Sequence, residues 1–514
     1  MLSQYLRLSA PSSSGEEGLP SGHASRGQRK GGARMKIRTE QFVEIAREEM
    51  KNTRSKAFLG LLPPVINAMR QISLATFPDP DAAQAYGAAI RGEVVTRLPE
   101  LLEEFERNAT ARGTKVVWAR TAAEANAFVL DLAKKKGVAY VTKGKSMLSE
   151  EIGLNDALID NGVDAIETDL GEFIIQLLKR PPFHLIGPAV NIAVEEVRDL
   201  FMEKGILAEP TEDPVALGYA ARLHLRDKFH RLEMGVTGVN MAVAETGTIV
   251  NVENEGNIRF AKSSPRTQVS IMSLEKVVPT MDDALHMIRL LCRNGTGQKM
   301  ASYISFDTGP RAAGAIDGPE EVYCVIVDNG RADLYDDPVA RDVFRCIRCG
   351  ACANICPVYT KIGGYPYGWA YTGPMGQLLN PLLLGFSGTS DLFRACTLCG
   401  VCKSVCPAGV DHPRMLLYYR ARDAAGDPKL RSRGRPLKER TLYDLFAWGA
   451  THPRLWRQGA KRMRPRVNRD ARDGYLSRSV DSLDGWFRSR DLPEMAEKTF
   501  QERWKEREGR KAIA

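Results

Sequence analysis

No apolar run in these 514 residues approaches the eighteen or so that a membrane-spanning helix requires. The longest, Ala57 to Met69, is interrupted by Pro63-Pro64. That excludes a spanning segment and leaves, at most, peripheral membrane attachment through a partner. Charge of one sign is also in short supply. The net charge of +9 is modest for the length, and the excess sits late in the chain, in Arg431-Ser-Arg433-Gly-Arg435 and Lys461-Arg462-Met-Arg464-Pro-Arg466. A nucleic-acid binder would mount such a patch on a recognisable module. None is present, so no nucleic-acid partner is expected; the basic stretch reads as a solvated face or a docking surface for an acidic partner. Cysteine is scarce outside one region. Eight of the ten fall within about sixty residues, while Cys292 and Cys324 stand alone in apolar stretches and read as buried small side chains. With no secretory signal, that distribution argues against a disulfide frame and for metal binding.

The clustered cysteines form two copies of one pattern, C-x2-C-x2-C-x3-C-P. The first runs from Cys346 through Cys349 and Cys352 to Cys356-Pro357, the second from Cys396 through Cys399 and Cys402 to Cys406-Pro407. This is the ligand run of a bacterial-type [4Fe–4S] cluster, and two copies imply two clusters. Three cysteines at this spacing wrap one corner of a cube, and the fourth points away to the other cluster. The expected sets are therefore Cys346, Cys349, Cys352 and Cys406 for one cluster, and Cys396, Cys399, Cys402 and Cys356 for the other. Structural zinc also uses C-x2-C pairs, but it needs four ligands and fits two four-cysteine runs of this kind poorly. Arg348 and Lys403 lie inside the runs, where cations are expected to raise cluster potentials.

A chain this long is expected to form two or three domains. Its 43% hydrophobic and 26% charged content describe a soluble globular protein. Residues 1–34 are rich in Ser, Gly and Arg and are expected to be a disordered extension, with Met35 opening the ordered sequence. Residues 35–110 read as helical, with Thr39 capping Glu40 to Lys51 and a long helix from Ala82 to Asn108. From 111 to 331 strands alternate with helices: strands at Lys115–Trp118, Val138–Val141, Asp164–Glu167 and Phe183–Ile186, and helices at Ala122–Lys135 and Glu150–Asp160. Strands also fall at Thr267–Met272, Tyr303–Phe306 and Val322–Val327, with a helix at Met281–Cys292. The alternation predicts an α/β domain with a mainly parallel sheet. Residues 332–341 read as a linker, 342–425 as a mainly α-helical two-cluster domain, and 426–514 as a basic helical tail. In that tail Trp448, Trp456, Trp486 and Trp504 fit docking anchors. The glycines and aromatics from Gly363 to Gly376 are expected to cover the clusters and exclude water.

Ligands of parallel sheets bind beyond the strand C-termini. Three polar loops sit there: Lys143-Gly-Lys-Ser146, Glu167 to Glu172, and Gly187 to Asn191. Each is equally a strand-to-helix turn rich in capping residues. Two strands are expected across Gly235–Ile258, with Glu245 at the turn. Glu245 reads either as a functional carboxylate or as an acceptor of backbone N–H bonds that pins the hairpin. Lys143, Ser146 and Glu245 are the pocket candidates.

The segments Lys143-Gly-Lys-Ser-Met147, Glu167-Thr-Asp-Leu-Gly-Glu172, Glu245-Thr-Gly-Thr248, Asn254-Glu-Gly-Asn257, Asp317-Gly-Pro-Glu-Glu321 and Val327-Asp-Asn-Gly-Arg331, together with the cysteine runs, give the chain a resemblance to the LutB/YkgF family of lactate-utilisation iron–sulfur proteins. The resemblance covers almost everything from Met35 onward. It implies an LUD domain, similar to the NagB/RpiA/CoA-transferase-like α/β fold, followed by a double [4Fe–4S] ferredoxin domain. It also implies a cytoplasmic, NAD-independent oxidoreductase complex that oxidises L-lactate to pyruvate, with a LutA-type cysteine-rich subunit and a LutC-type LUD subunit as partners. In that reading, chemistry at C2 of the substrate occurs at a site completed by partners, and this chain collects the electrons. Two alternatives are an electron-transfer subunit for another 2-hydroxy acid such as glycolate, and a CoA-transferase-like or ligand-binding protein with Glu245 as acyl acceptor and redox-sensing clusters.

Overall fold

A computed structural model describes residues 37–476, 487 and 490–511. The expected extension 1–34 and Trp486 lie outside them. The chain divides into two compact units at Gly434/Arg435. No helix among the described residues is long and apolar enough to cross a membrane.

The first unit is built on a six-stranded, wholly parallel sheet. Its strands are β1 (Lys115–Ala119), β2 (Tyr140–Lys143), β3 (Asp164–Glu167), β4 (Met234–Gly238), β7 (Thr267–Ser273) and β10 (Glu321–Val327), in the order β1-β10-β7-β4-β2-β3. Parallel strands are covered on both faces and so read as apolar runs. β7 and β4 fit, with Val236, Val269 and Ile271 essentially inaccessible. A second sheet of four strands, β8 (Val277–Val278), β5 (Met241–Val243), β6 (Thr248–Glu253) and β9 (Tyr303–Asp307), grows from the C-terminal ends of β4 and β7. The Gly235–Ile258 stretch, expected as two strands, is thus three (β4, β5, β6) and enters a helix at Asn257. Gly235 lets that helix pack: a Cβ there would lie 1.7 Å from the carbonyl oxygen of Ala261. Gly235→Ala is expected to cost about 3 kcal/mol or more, read as a lowered denaturation midpoint, because a backbone atom must give way.

Two expectations differ from the structure. Residues Phe183–Ile186 are not a strand but a turn region, with the Phe183 ring against Gly363 and its carbonyl against Gly364. Its pattern of large apolar residues reflects burial against the second cysteine-bearing layer, not sheet pairing. Pro63-Pro64 interrupts the apolar run without ending the helix. That helix runs from Thr53 to Leu74 through both prolines, packed on the helix Met281–Gly295 and on the short helices after Cys349 and Cys356. Tertiary burial of Leu59 and Leu74 outweighs the local proline penalty. Residues 332–341, read as a linker, are packed: Arg331–Tyr335 is a helical turn, and Ala332, Leu334 and Ala340 are buried.

Smaller differences have local causes. Thr39 does not cap; the helix begins at Phe42 after a 3-10 turn, and no side chain caps it. The long helix Ala82–Asn108 is two, Pro80–Thr96 and Leu98–Ala111, broken just before Pro99. Glu150–Asp160 is likewise split at Gly153, whose φ is positive.

The second unit contains helices Leu437–Thr451, Pro453–Val467 and Phe500–Lys511. Phe446 and Trp456 meet edge to face, yet Leu437, Leu445, Trp448 and Trp456 remain largely exposed.

Candidate iron–sulfur centres and the adjoining cavity

The two cysteine runs fold alike. In each, the residue before the second cysteine is left-handed, Arg348 at φ 62° and Leu398 at φ 56°. The glycine after that cysteine is left-handed too, Gly350 at φ 79° and Gly400 at φ 81°, and opens a short helix. These turns aim backbone donors at sulfur. Arg348 N–H donates to Cys346 Sγ (3.4 Å) and Leu398 N–H to Cys396 Sγ (3.3 Å). At the fourth cysteines, Tyr359 N–H donates to Cys356 Sγ (3.5 Å) and Val410 N–H to Cys406 Sγ (3.4 Å). Non-glycine residues at positive φ are strained, so their recurrence in both runs points to a shared purpose.

A mostly apolar pocket is lined by Cys346, Cys349, Cys352 and Cys406, with Met147, Leu185 and Met375 among its other walls. No cysteine of the other set lines it. Burial pushes the Cys349 thiol up to about 12, and the neighbouring Cys406 thiol adds to the effect. Burial likewise raises Cys402 to about 12, reinforced by Cys396, Cys356 and Cys399. Cys356 is therefore grouped electrostatically with the second run, although it belongs to the first. Thiolates in these surroundings need a strongly positive partner, which an iron core supplies. Among the described residues, no three His, Cys, Asp or Glu side chains converge as a single metal ion demands. Of the eight cysteines only Cys399 is exposed.

A cavity of about 420 Å³ adjoins the first set. It lies beyond the C-terminal ends of β4 and β7, where a parallel sheet places its ligands. Cys349, Arg348 and Tyr371 form one wall, and Lys276 and Lys145 reach it from the sheet side. Asp169, Glu253 and Glu255 line another part, with Asn240, Asn251 and Asn257. Behind the cationic wall runs a buried ion network. Arg331 is fully buried and bonds Glu151 through both guanidinium Nη atoms (2.8 and 2.6 Å) and Glu275 through Nε (3.2 Å). Glu275 also accepts from Arg348 Nη2 (3.0 Å), and the Arg348 guanidinium lies 4.9 Å from the Tyr371 ring centre. Burial alone would raise Glu275, but Arg331, Arg348 and Lys276 outweigh it and hold the carboxyl down at about 2. Burial, aided by the Arg348 cation, pulls the Lys276 ammonium down to about 8.

Of the three pocket candidates, only Ser146 lines the cavity; its hydroxyl also caps the helix Met147–Glu151 by accepting from Ser149 N–H. Lys143 is buried under the sheet edge, tied to Glu150 and Glu167 (2.7 Å each) and Ser149 (2.8 Å). Glu245 is exposed and accepts from Met281 N–H (3.0 Å), where it helps seat the next helix. Glu245 thus accepts a backbone N–H, as one of its two readings expects, but from Met281 rather than within the hairpin, and it does not line the cavity. Of the three polar loops, the first two reach the cavity through Lys145, Ser146 and Asp169, whereas Asn191 bonds Tyr365. Lys403, expected to raise a cluster potential, is exposed and paired with Asp411 (2.6 Å). Lys276 lies in none of the segments that carry the resemblance, and Arg331, which ends the segment Val327-Asp-Asn-Gly-Arg331, carries no sign in the sequence of its partners Glu151 and Glu275. The available signal was the Glu275-Lys276 pair directly after an apolar strand.

Glu172 offers a test of the Lys143 cluster. Burial, then the Glu167 and Glu150 carboxylates, raise its carboxyl well above the usual range. The folded state thus holds a proton that the unfolded chain releases, and stability falls as pH rises through that interval. Glu172→Gln removes the slope. Urea titrations from the ordinary carboxylate range upward in pH are expected to show the variant gaining on the native protein as pH increases.

Comparisons with known proteins agree with this architecture. The LUD domain family matches residues 102–327, the 4Fe-4S dicluster domain residues 342–410, and the C-terminal region of lactate utilisation protein B residues 418–509. Lactate utilization protein B of Bacillus licheniformis is 35% identical over 92% of this chain and 98% of its own length. The chain belongs to the lactate utilization protein B family. Among other relatives of this lactate utilization protein B family member, the Lysinibacillus sphaericus protein is 36% identical over 92% of this chain and 98% of its own. The electron transport protein YkgF of Escherichia coli is 38% identical over 80% and 85%. A DUF162 family protein of Deinococcus radiodurans superposes with a TM-score of only 0.26 at 16% identity, over 45% of this chain and 98% of that one. The family assignment makes the α/β part an LUD domain and the cysteine-rich part an iron–sulfur domain.

Proposed function

We propose that this chain is the electron-transfer subunit of a cytoplasmic, NAD-independent complex that oxidises L-lactate to pyruvate, working with a LutA-type and a LutC-type subunit. The observation that carries the reading is the cysteine architecture inside a chain of the lactate utilization protein B family: two sets of four, one against a large cavity with Arg348 and Lys276 in its wall and the other with Cys399 at the surface. Cys346, Cys349, Cys352 and Cys406 would hold one [4Fe–4S] cluster and Cys396, Cys399, Cys402 and Cys356 a second. When bound, such clusters supply one-electron redox centres.

The chain's own residues prepare that role. The four N–H···S contacts and the Arg348 cation stabilise added negative charge at sulfur, and so favour reduction. Met147, Leu185 and Met375 keep water from the first set. Tyr367, within the stretch expected to cover the clusters, is fully buried, as is Tyr359 just before it. Cys399 and its exposed neighbours Thr397 and Ser404 offer a redox partner close approach to the second set. A strain lacking this chain is expected to lose growth on L-lactate and the lactate-dependent dye reduction of its extracts, and to keep growth on pyruvate. Unimpaired lactate growth, with no other lactate-oxidising enzyme present, would refute the role.

A further inference from the structure

The cationic wall of the cavity is larger than its ion pairs require. Lys276 and Arg348 line it, with Arg91 and Arg331 behind them, while the lining carboxylates Asp169, Glu253 and Glu255 belong to another part and each accept backbone N–H groups. The carboxylates among the four cations are Glu151 and Glu275. Arg91 spends its guanidinium on main-chain carbonyls of Arg345, Val277, Glu275 and Phe344. Arg331 takes both Glu151 oxygens and shares Glu275 with Arg348. That leaves two unmet groups. Arg348 Nη1 is buried without a hydrogen-bond partner, and no hydrogen bond or ion pair to the Lys276 ammonium is found among the described residues. Both residues line the cavity. A buried, unpaired donor on a cation is costly, and an anion seated in the cavity would satisfy both at once.

Two sinks compete for this charge. Four thiolates around an iron core leave net negative charge, so the cations could serve only to balance the first set. Placement separates the two. Arg348 lines both the cysteine pocket and the cavity, but Lys276 lines the cavity alone. We propose that this cavity is a binding site, within this chain, for a small 2-hydroxy or 2-oxo carboxylate, its carboxylate held by Lys276 and Arg348 against the wall formed by Cys349. The inference rests on the proposed function for its substrate class. Arg fits a planar carboxylate, and Lys adds a point charge. The volume falls in the range of small-molecule sites and leaves room beside a three-carbon acid. Asn240 and Asn251 line the cavity as well, but Asn251 is engaged at both ends of its amide and Asn240 at its oxygen. Asn240 Oδ1 accepts from Val252 N–H, and Asn251 bonds Gly238 O and Lys262. They shape the cavity, and the two cations remain as its unmet anchors.

The test uses the anaerobically purified, iron-loaded full chain without partners, titrated by calorimetry with L-lactate, pyruvate, lactamide and inorganic phosphate. Expected are binding of L-lactate and pyruvate, and binding of uncharged lactamide weaker by about tenfold or more, since a charged hydrogen-bonding group is lost. Lys276→Met is expected to weaken both carboxylates by a similar factor with iron content unchanged. Equal binding of lactamide, preference for phosphate, no carboxylate binding, or a Lys276→Met variant that shifts only the reduction potential would each overturn the assignment. The two readings fail separately. If no carboxylate binds but lactate plus partners reduces the clusters, the cavity assignment falls and the electron-transfer role stands. If carboxylates bind and the clusters stay oxidised with partners present, the reverse holds.

Discussion

Combining Cys356→Ser with Cys402→Ser should remove about four of the roughly eight irons that two [4Fe–4S] clusters contain, whereas Cys356→Ser with Cys406→Ser should remove nearly all of them. The two double variants differ by one position in the same run, so the contrast depends only on which cysteines share a cluster. Its basis is crossed membership. Cys406 lines the pocket of Cys346, Cys349 and Cys352, and Cys356 is grouped with Cys396, Cys399 and Cys402 through their mutual effect on one another's thiols. If each run instead held its own cluster, Cys356→Ser with Cys402→Ser would strip both, and iron analysis would show it. Cys349→Ser alone should lose one cluster's signal and lactate-dependent growth.

The second large effect concerns the buried ion network. Arg331→Met should destabilise the protein by about 3–5 kcal/mol, the usual cost of removing one partner from a buried ion pair. The reason is what it leaves behind. Glu151 has no exposed side-chain surface and loses both its guanidinium contacts, and Glu275 keeps only Arg348. Tyr371, which donates to Glu151 and lies under Arg348, would lose its setting as well. The consequence should therefore spread to the first cysteine set and lower iron retention on dialysis. Urea unfolding of variant and native protein checks the energy. Replacing Glu151 and Arg331 together by Met and Leu should recover much of the loss, because both unpaired charges are then gone.

The fold was legible where a single local rule governs. Strands β1, β3, β7, β9 and β10 and the helix Ala122–Lys135 follow from periodicity and capping, since Thr121 accepts from Glu124 N–H at the expected helix start. The cysteine runs were legible because ligand spacing is itself chemistry. Tertiary context overrode local signals elsewhere. The helix through Pro63-Pro64 exists because its flank is buried, and Phe183–Ile186 reads like a strand because it fills a slot opened by Gly363 and Gly364. The cavity was half visible. Lys145, Ser146 and Asp169 lie in loops that the sheet rule singles out. Lys276, Arg348 and Tyr371 come from three distant stretches, and only the folded chain brings them to one wall. Glu245 misled because a carboxylate beside a buried strand resembles a site when its partner, the Met281 amide, lies 36 residues away.

The central claim is that electrons from L-lactate reach clusters held by this chain. The direct test is anaerobic: the iron-loaded chain, alone and with its two proposed partners, receives L-lactate while visible absorbance and electron paramagnetic resonance follow the clusters. The account predicts bleaching and a reduced-cluster signal with the partners present, suppressed by Lys276→Met. Clusters that dithionite reduces but L-lactate never does, with both partners present, would contradict it.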